Sequence, residues 1–155
     1  MTEEIGNHYL FPSTIFISKQ HYIIDTVLGS CVAVCLYDQK IKIGGLNHFM
    51  LPLWNGDVLA SPKYGNIAIE KLIEKMILNG ASKQNMIAKI FGGANQINST
   101  INIGERNIQI SKEHLATAGI KIVAESVGGA VGRKIKFNTR TGEVSMKFLS
   151  KKEQA

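Results

Sequence analysis

The stretch from Val32 to Met50 constrains the fold more than any other part of the chain. Val32 to Leu36 is an apolar, β-favouring run, Tyr37-Asp38-Gln39-Lys40 is polar and turn-like, and Ile41 to Met50 is apolar again, a pattern that predicts a β-hairpin. Cys31 stands at the foot of the first strand, after Leu28-Gly29-Ser30, and His48 lies on the returning strand within Gly44-Gly45-Leu46-Asn47-His48-Phe49-Met50-Leu51-Pro52. A two-residue loop at Gln39-Lys40, or a four-residue loop from Asp38 to Ile41, makes opposed residue numbers sum to 79 and sets Cys31 directly across from His48. Directly opposed residues share a face with Cβ atoms about 4.5–5.5 Å apart, which brings the imidazole within reach of the thiol proton. A three- or five-residue loop would turn His48 to the other face.

A thiol and an imidazole on one face are the two parts that cysteine acyl transfer requires, although a buried cysteine is more often inert core and a strand histidine more often structural. Cys31 and Cys35 lie roughly 13 Å apart along a strand, too far to bridge or to share a small ion. His8, His21 and His114 have no ligand spacing with each other, so neither a metal nor another cofactor is expected. Ser30 is read as a turn residue, because Gly-Ser-Cys lacks the Gly-x-Ser-x-Gly order and a thiol is the better nucleophile.

The remaining segments alternate between strand and helix patterns without repeats or linkers, as expected of one domain over residues 1–155. Strands are predicted at Thr14 to Ser18, His21 to Leu28, Val32 to Tyr37, Lys42 to Met50, Met86 to Phe91, Ile120 to Ser126, Lys134 to Asn138 and Glu143 to Leu149. One helix is expected to start at a Ser61 cap with Pro62 in its first turn, to carry Ile69, Leu72, Ile73 and Met76 inward, and to close at Gly80. A second is expected from Gly104 to Ala118, with Ile108 and Leu115 inward and Gly119 as terminator. The sum is an α/β layered sandwich of a mixed, largely antiparallel sheet covered by two main helices.

No apolar run reaches membrane-spanning length, and Met1 to His8 carries Glu3 and Glu4 instead of a basic leader, so a cytoplasmic protein without membrane insertion is expected. The net charge of +6 asks for an acidic partner. Nucleic acid is not that partner, because the basic residues are scattered and not interleaved with aromatics. Gly128-Gly129-Ala130-Val131-Gly132-Arg133-Lys134 lacks the phosphate-loop order and no helix pattern follows it. Its glycines, like Gly92-Gly93, are read as allowing positive φ and close backbone approach to the site. Phe49 to Trp54 reads either as a docking lip or as a core anchor.

Leu28-Gly29-Ser30-Cys31-Val32-Ala33-Val34-Cys35-Leu36 and the block from Gly44 to Pro52 resemble the two signature blocks of the CheD family, the chemoreceptor glutamine deamidases of bacterial chemotaxis. Phe91-Gly92-Gly93-Ala94, Asn102-Ile103-Gly104-Glu105-Arg106-Asn107 and the Gly128 to Lys134 block follow in the family's order, so the resemblance runs from about Ile15 to about Val144. It implies a fold similar to the catalytic domain of cytotoxic necrotizing factor, with Cys31 as nucleophile, His48 as general base and Thr26 as the residue that orients the imidazole. Asp25 is the alternative to Thr26, since an uninterrupted strand would put Asp25 on the Cys31 face. The implied substrate is a glutamine on the cytoplasmic helices of chemoreceptors, converted to glutamate through a Cys31 thioester. Backbone N–H groups at Ser30 to Val32 are the expected oxyanion donors, and protonated His48 is expected to hold the Cys31 pKa below about 8.5. The resemblance also implies the phosphatase CheC as a partner, and with it a second reading in which the chain regulates by binding with little or no catalysis.

Overall fold

The computed structural model describes residues 4–56 and 58–154, so Glu3 of the acidic leading segment lies outside the described residues. Its strands form two stacked sheets. One is ordered β1 (Gly6–Tyr9), β3 (Tyr22–Leu28), β8 (Arg133–Asn138), β9 (Val144–Phe148), and the other β2 (Ile15–Ser18), β5 (Ile43–Asn47), β4 (Val32–Asp38), β6 (Met86–Gly92), β7 (Lys121–Val127). All pairings are antiparallel except β1 with β3 and β6 with β7. Helices α1 (Gly65–Leu78) and α2 (Ile103–Thr117) cover the five-stranded sheet, and a short α3 (Lys151–Gln154) follows β9. The expected layered α/β sandwich with two main helices is therefore present, with its strands divided between two sheets.

Strand β4 explains why its segment reads as an unbroken apolar run, since it is buried along its whole length. Val32, Val34 and Leu36 pack toward Ile69, Leu72 and Met76 of α1 and Ile108 and Leu115 of α2. Ala33, Cys35 and Tyr37 point the other way, against Ile24, Leu28, Ile135 and Phe137 of the four-stranded sheet. Each fully buried Val or Leu side chain contributes about 1.5–3 kcal/mol, and burial on both faces makes β4 the seam of both cores.

The β4–β5 hairpin forms with a register two residues away from the expected one. Asp38 pairs with Ile43, Cys35 with Leu46, and Val32 with Phe49, around the four-residue loop 39–42. Asp38 sets that loop. Its Oδ1 accepts from the N–H groups of Lys40 and Ile41 at 2.9 and 3.1 Å, its carbonyl accepts from Lys42 at 2.9 Å, and Lys42 takes a left-handed φ of 57°. Its Oδ2 also accepts from Ser82 N–H at 2.9 Å, tying the hairpin to the segment before β6. The slip of two keeps the side-chain parity, so the register extended past β5 puts His48 opposite Ala33 and diagonal to Cys31 on one face.

Helix α1 begins four residues beyond the expected Ser61 cap. Its N-cap is Tyr64, which makes no side-chain cap bond, and the carbonyls of Leu51 and Pro52 instead accept from Gly65 and Asn66 N–H at 2.7 and 3.2 Å. The loop backbone thus satisfies the free donors that a side chain would otherwise cap. Gly80, at φ 102°, and Gly119, at φ 73°, follow the ends of α1 and α2 as expected. Strand β1, Gly-Asn-His-Tyr, has no apolar alternation and was not expected; its register against β3 brings the following Leu10 N–H to Asp25 O at 2.8 Å.

Removing the buried Asp38 carboxylate takes the acceptor from three partly buried N–H bonds at once. Asp38→Ala is therefore expected to lower unfolding stability by about 3 kcal/mol, read as a lower urea midpoint with unchanged slope.

Candidate active site

The chain passes from the four-stranded to the five-stranded sheet between Leu28 and Val32, and Cys31 sits at that corner. The corner is held on its backbone. Gly93 N–H donates to Cys31 O and Ala94 N–H to Gly29 O, both at 2.9 Å. Gly92, at φ 108°, lies so close that a Cβ there would stand 2.2 Å from Cys31 O. This is the close approach expected of the Gly92-Gly93 pair. Gly128 and Gly129 supply positive φ with open space around them, and Gly128 N–H donates to Gly92 O at 2.9 Å.

His48 follows β5 and is 2% exposed. Its backbone is fixed by Thr14 and Ser13, with His48 N–H to Thr14 O at 3.3 Å and Ser13 N–H to His48 O at 2.7 Å. Its ring reaches across to the other sheet, where Nδ1 lies 2.7 Å from Thr26 Oγ1. Thr26 is fully buried on β3 and its hydroxyl donates to Leu10 O at 2.8 Å. A threonine hydroxyl has one proton, so once it is given to Leu10 O the imidazole must donate at Nδ1. That tautomer leaves a lone pair on Nε2, which is buried and without a hydrogen-bond partner among the described residues.

Asp25 is not the partner of His48. Within β3 the inward residues are Ile24, Thr26 and Leu28, and Asp25 faces outward. Strand parity between β3 and Cys31 does not apply, because the two lie on opposite sides of the sheet-switching corner.

Electrostatics corrects a second expectation. Burial pushes the His48 imidazole down to about 4 and raises the Cys31 thiol above its usual range, although the Cys31 backbone N–H beside the sulfur pulls the latter back. The resting pair is accordingly a neutral thiol and a neutral imidazole, with no imidazolium to depress the thiol. Cys35, four residues further on, is 1% exposed and pushed up to about 12. Both cysteines are free, and Cys31 is the more accessible.

Of the expected oxyanion donors, Val32 N–H is already given to Phe49 O at 3.1 Å, which leaves Ser30 and Cys31. Two buried side chains near the corner add contacts that the motif blocks around them do not announce. Buried Arg133 donates to Gly92 O at 3.3 Å, to Gly128 O at 2.8 Å and to Ser126 Oγ at 3.1 Å, joining the glycine loops. Buried Asn107 of α2 donates from Nδ2 to Ser30 O at 3.0 Å and to Met50 O at 3.1 Å. The Asn107 bonds and the Arg133–Gly92 bond have no local sequence signature, since their partners are far away in the chain. The Phe49 to Trp54 segment divides between its two readings: Phe49 is fully buried core, while Leu53 is 54% exposed. Among the described residues no three His, Cys, Asp or Glu side chains could share a metal ion, and no helix is long and apolar enough to cross a membrane.

The chain matches the family model for CheD chemotactic sensory transduction over residues 50–148. A probable chemoreceptor glutamine deamidase CheD of Sulfurimonas denitrificans is 50% identical over 154 residues, spanning 97% of this chain and 99% of its own length. A probable chemoreceptor glutamine deamidase CheD of Trichlorobacter lovleyi is also 50% identical, over 93% of this chain and 94% of its own, and one of Thiobacillus denitrificans is 42% identical over 90% and 72%. Among solved structures, the hypothetical protein YfiH of Bacillus licheniformis superposes with a TM-score of 0.46 and 14% identity, over 71% of this chain and 50% of that one. The family model begins beyond Cys31 and His48, but the alignment with the Sulfurimonas relative runs through nearly the whole chain, and the chain belongs to the CheD family.

Proposed function

We propose that the protein is a chemoreceptor glutamine deamidase of the cytoplasm, with Cys31 as nucleophile, His48 as general base and acid, and Thr26 as the residue that orients His48. The names of its relatives support the substrate, and one observation carries the site: the Thr26–His48 bond of 2.7 Å, which commits Nδ1 as donor and leaves Nε2 as the unpartnered acceptor a general base requires.

A glutamine carboxamide is a poor electrophile and ammonia a poor leaving group, so a covalent route divides the barrier. Because thiol and imidazole are both neutral at rest, the thiol proton moves to His48 Nε2 as sulfur bonds to the side-chain carbonyl carbon. The carbonyl π pair becomes an oxyanion facing the Ser30–Cys31 backbone donors. When the oxyanion collapses, the C–N bond breaks and His48 returns the proton to nitrogen, releasing ammonia and leaving a thioester. Water then loses a proton to Nε2 and attacks the same carbon, and the C–S bond breaks to give glutamate and the restored thiol.

A receptor cytoplasmic fragment incubated with the protein is expected to show the amide-to-acid mass increment at specific glutamines. Cys31→Ala should abolish it while leaving receptor binding intact, and His48→Ala should slow it by about 10²–10⁴-fold. Thr26→Ala should cost less, and Thr26→Ser should restore activity because the hydroxyl remains. Modification retained by Cys31→Ala would overturn the covalent route. Wild-type protein that binds receptor or CheC without modifying glutamine would favour the regulatory reading.

The depressed His48 pKa has a sign that can be checked. Between about pH 4, where the folded imidazole titrates, and about 6.5, where the unfolded one does, the unfolded chain binds one more proton. Stability at this site is full above about pH 6.5 and falls as pH drops toward 4, by up to about 3 kcal/mol. Urea unfolding at pH 7 and 4.5 should show that loss in the wild type and a smaller one in His48→Asn. Equal losses would mean that His48 titrates normally. The acid limb of kcat/KM should likewise lie well below pH 6.5.

A further inference from the structure

Three carbonyls line the corner that carries Cys31, and each has a donor. Gly29 O and Cys31 O are held by backbone N–H groups of Ala94 and Gly93. Ser30 O, between them, is held by a side chain, the Asn107 amide at 3.0 Å. The same Nδ2 donates to Met50 O at 3.1 Å, two residues past His48, so one amide ties the nucleophile's corner to the base's loop. The two carbonyl acceptors fix the amide's orientation, and Asn107 Oδ1 is buried and unpartnered among the described residues.

The consequence lies in the peptide unit that Ser30 shares with Cys31. That bond is trans, so its C=O and N–H point in opposite directions. Asn107 belongs to α2, which packs on the helix side of the five-stranded sheet with β4, β6 and β7. Pinning Ser30 O toward that layer directs Cys31 N–H to the opposite side. There Cys31 packs in the core between the sheets, and its own N–H lies beside its sulfur. Val32 N–H is engaged by Phe49 O, so the Cys31 N–H is the donor whose aim depends on a replaceable side chain.

We propose that Asn107 is a positioning residue for acyl transfer: by holding Ser30 O and Met50 O it aims the Cys31 N–H at the oxyanion and fixes the Cys31 corner against the His48 loop. This rests on the reading of Cys31 as an acyl-transfer nucleophile, but not on the receptor being its substrate. Asn107 does not touch the reacting atoms.

Two small probes separate the role from a merely structural one. Acylation of Cys31 by p-nitrophenyl acetate passes through a tetrahedral oxyanion, whereas alkylation by iodoacetamide is a displacement at a saturated carbon and makes none. Both would be followed in the intact protein, with the Cys31→Ala background subtracted, in wild type, Asn107→Ala and Asn107→Leu; the latter keeps the branched heavy-atom skeleton without the amide. In either variant, acylation should slow on the order of a hundredfold while alkylation stays close to wild type. Acylation at the wild-type rate would overturn the proposal. So would parallel loss of both reactions in both variants, since Asn107 would then serve only the fold. Neither probe involves a receptor, so a wild type that fails to deamidate receptors would leave this result standing by itself.

Discussion

The hydrogen bond between Thr26 and His48 is the interaction on which the rest of the site depends. It joins the two sheets at the point where the chain has just crossed between them, and it is directional because Thr26 has one proton and Leu10 O takes it. The imidazole is thereby left with Nδ1 as donor and Nε2 as acceptor. Burial holds the ring neutral, which preserves the lone pair that a general base needs. The same burial keeps Cys31 a thiol, so in the proposed mechanism the proton moves during attack and not before it.

Precision at Cys31 comes from backbone packing more than from side chains. Gly92 and Gly93 let the end of β6 press against the corner, Arg133 fastens the adjoining glycine loop, and β4 anchors everything through two cores. A corner held in this way places Cys31 at the edge of a rigid sheet instead of on a free loop, which suits the proposed reaction, whose geometry must be kept within fractions of an ångström.

Much of this was legible in the amino-acid sequence. The doubly buried β4 announces itself as an unbroken apolar run, and Cys31 and His48 share a face by parity alone. The register differs by two because Asp38, through side-chain hydrogen bonds to Lys40 and Ile41, closes a loop centred one residue further along than the polar residues suggest. Choosing between Thr26 and Asp25 by strand alternation could not succeed, since the alternation is broken at a sheet change that has no local signal beyond Gly29. Ser61-Pro62 has the chemistry of a helix start, yet Leu51 and Pro52 carbonyls cap α1 from a distant loop. Asn107 and Arg133 stand in motif blocks, but the contacts of Asn107 with Ser30 and of Arg133 with Gly92 had no local signal for the same reason: those partners are remote in sequence.

The most direct measurement is ¹⁵N NMR of the His48 imidazole in the intact protein between pH 5 and 8. A neutral ring bearing its proton on Nδ1, with an unprotonated Nε2 that does not titrate in that range, is the predicted result. An imidazolium near neutral pH, or a neutral ring with its proton on Nε2, would contradict the account, because Thr26 would then not be setting the tautomer that the proposed base requires.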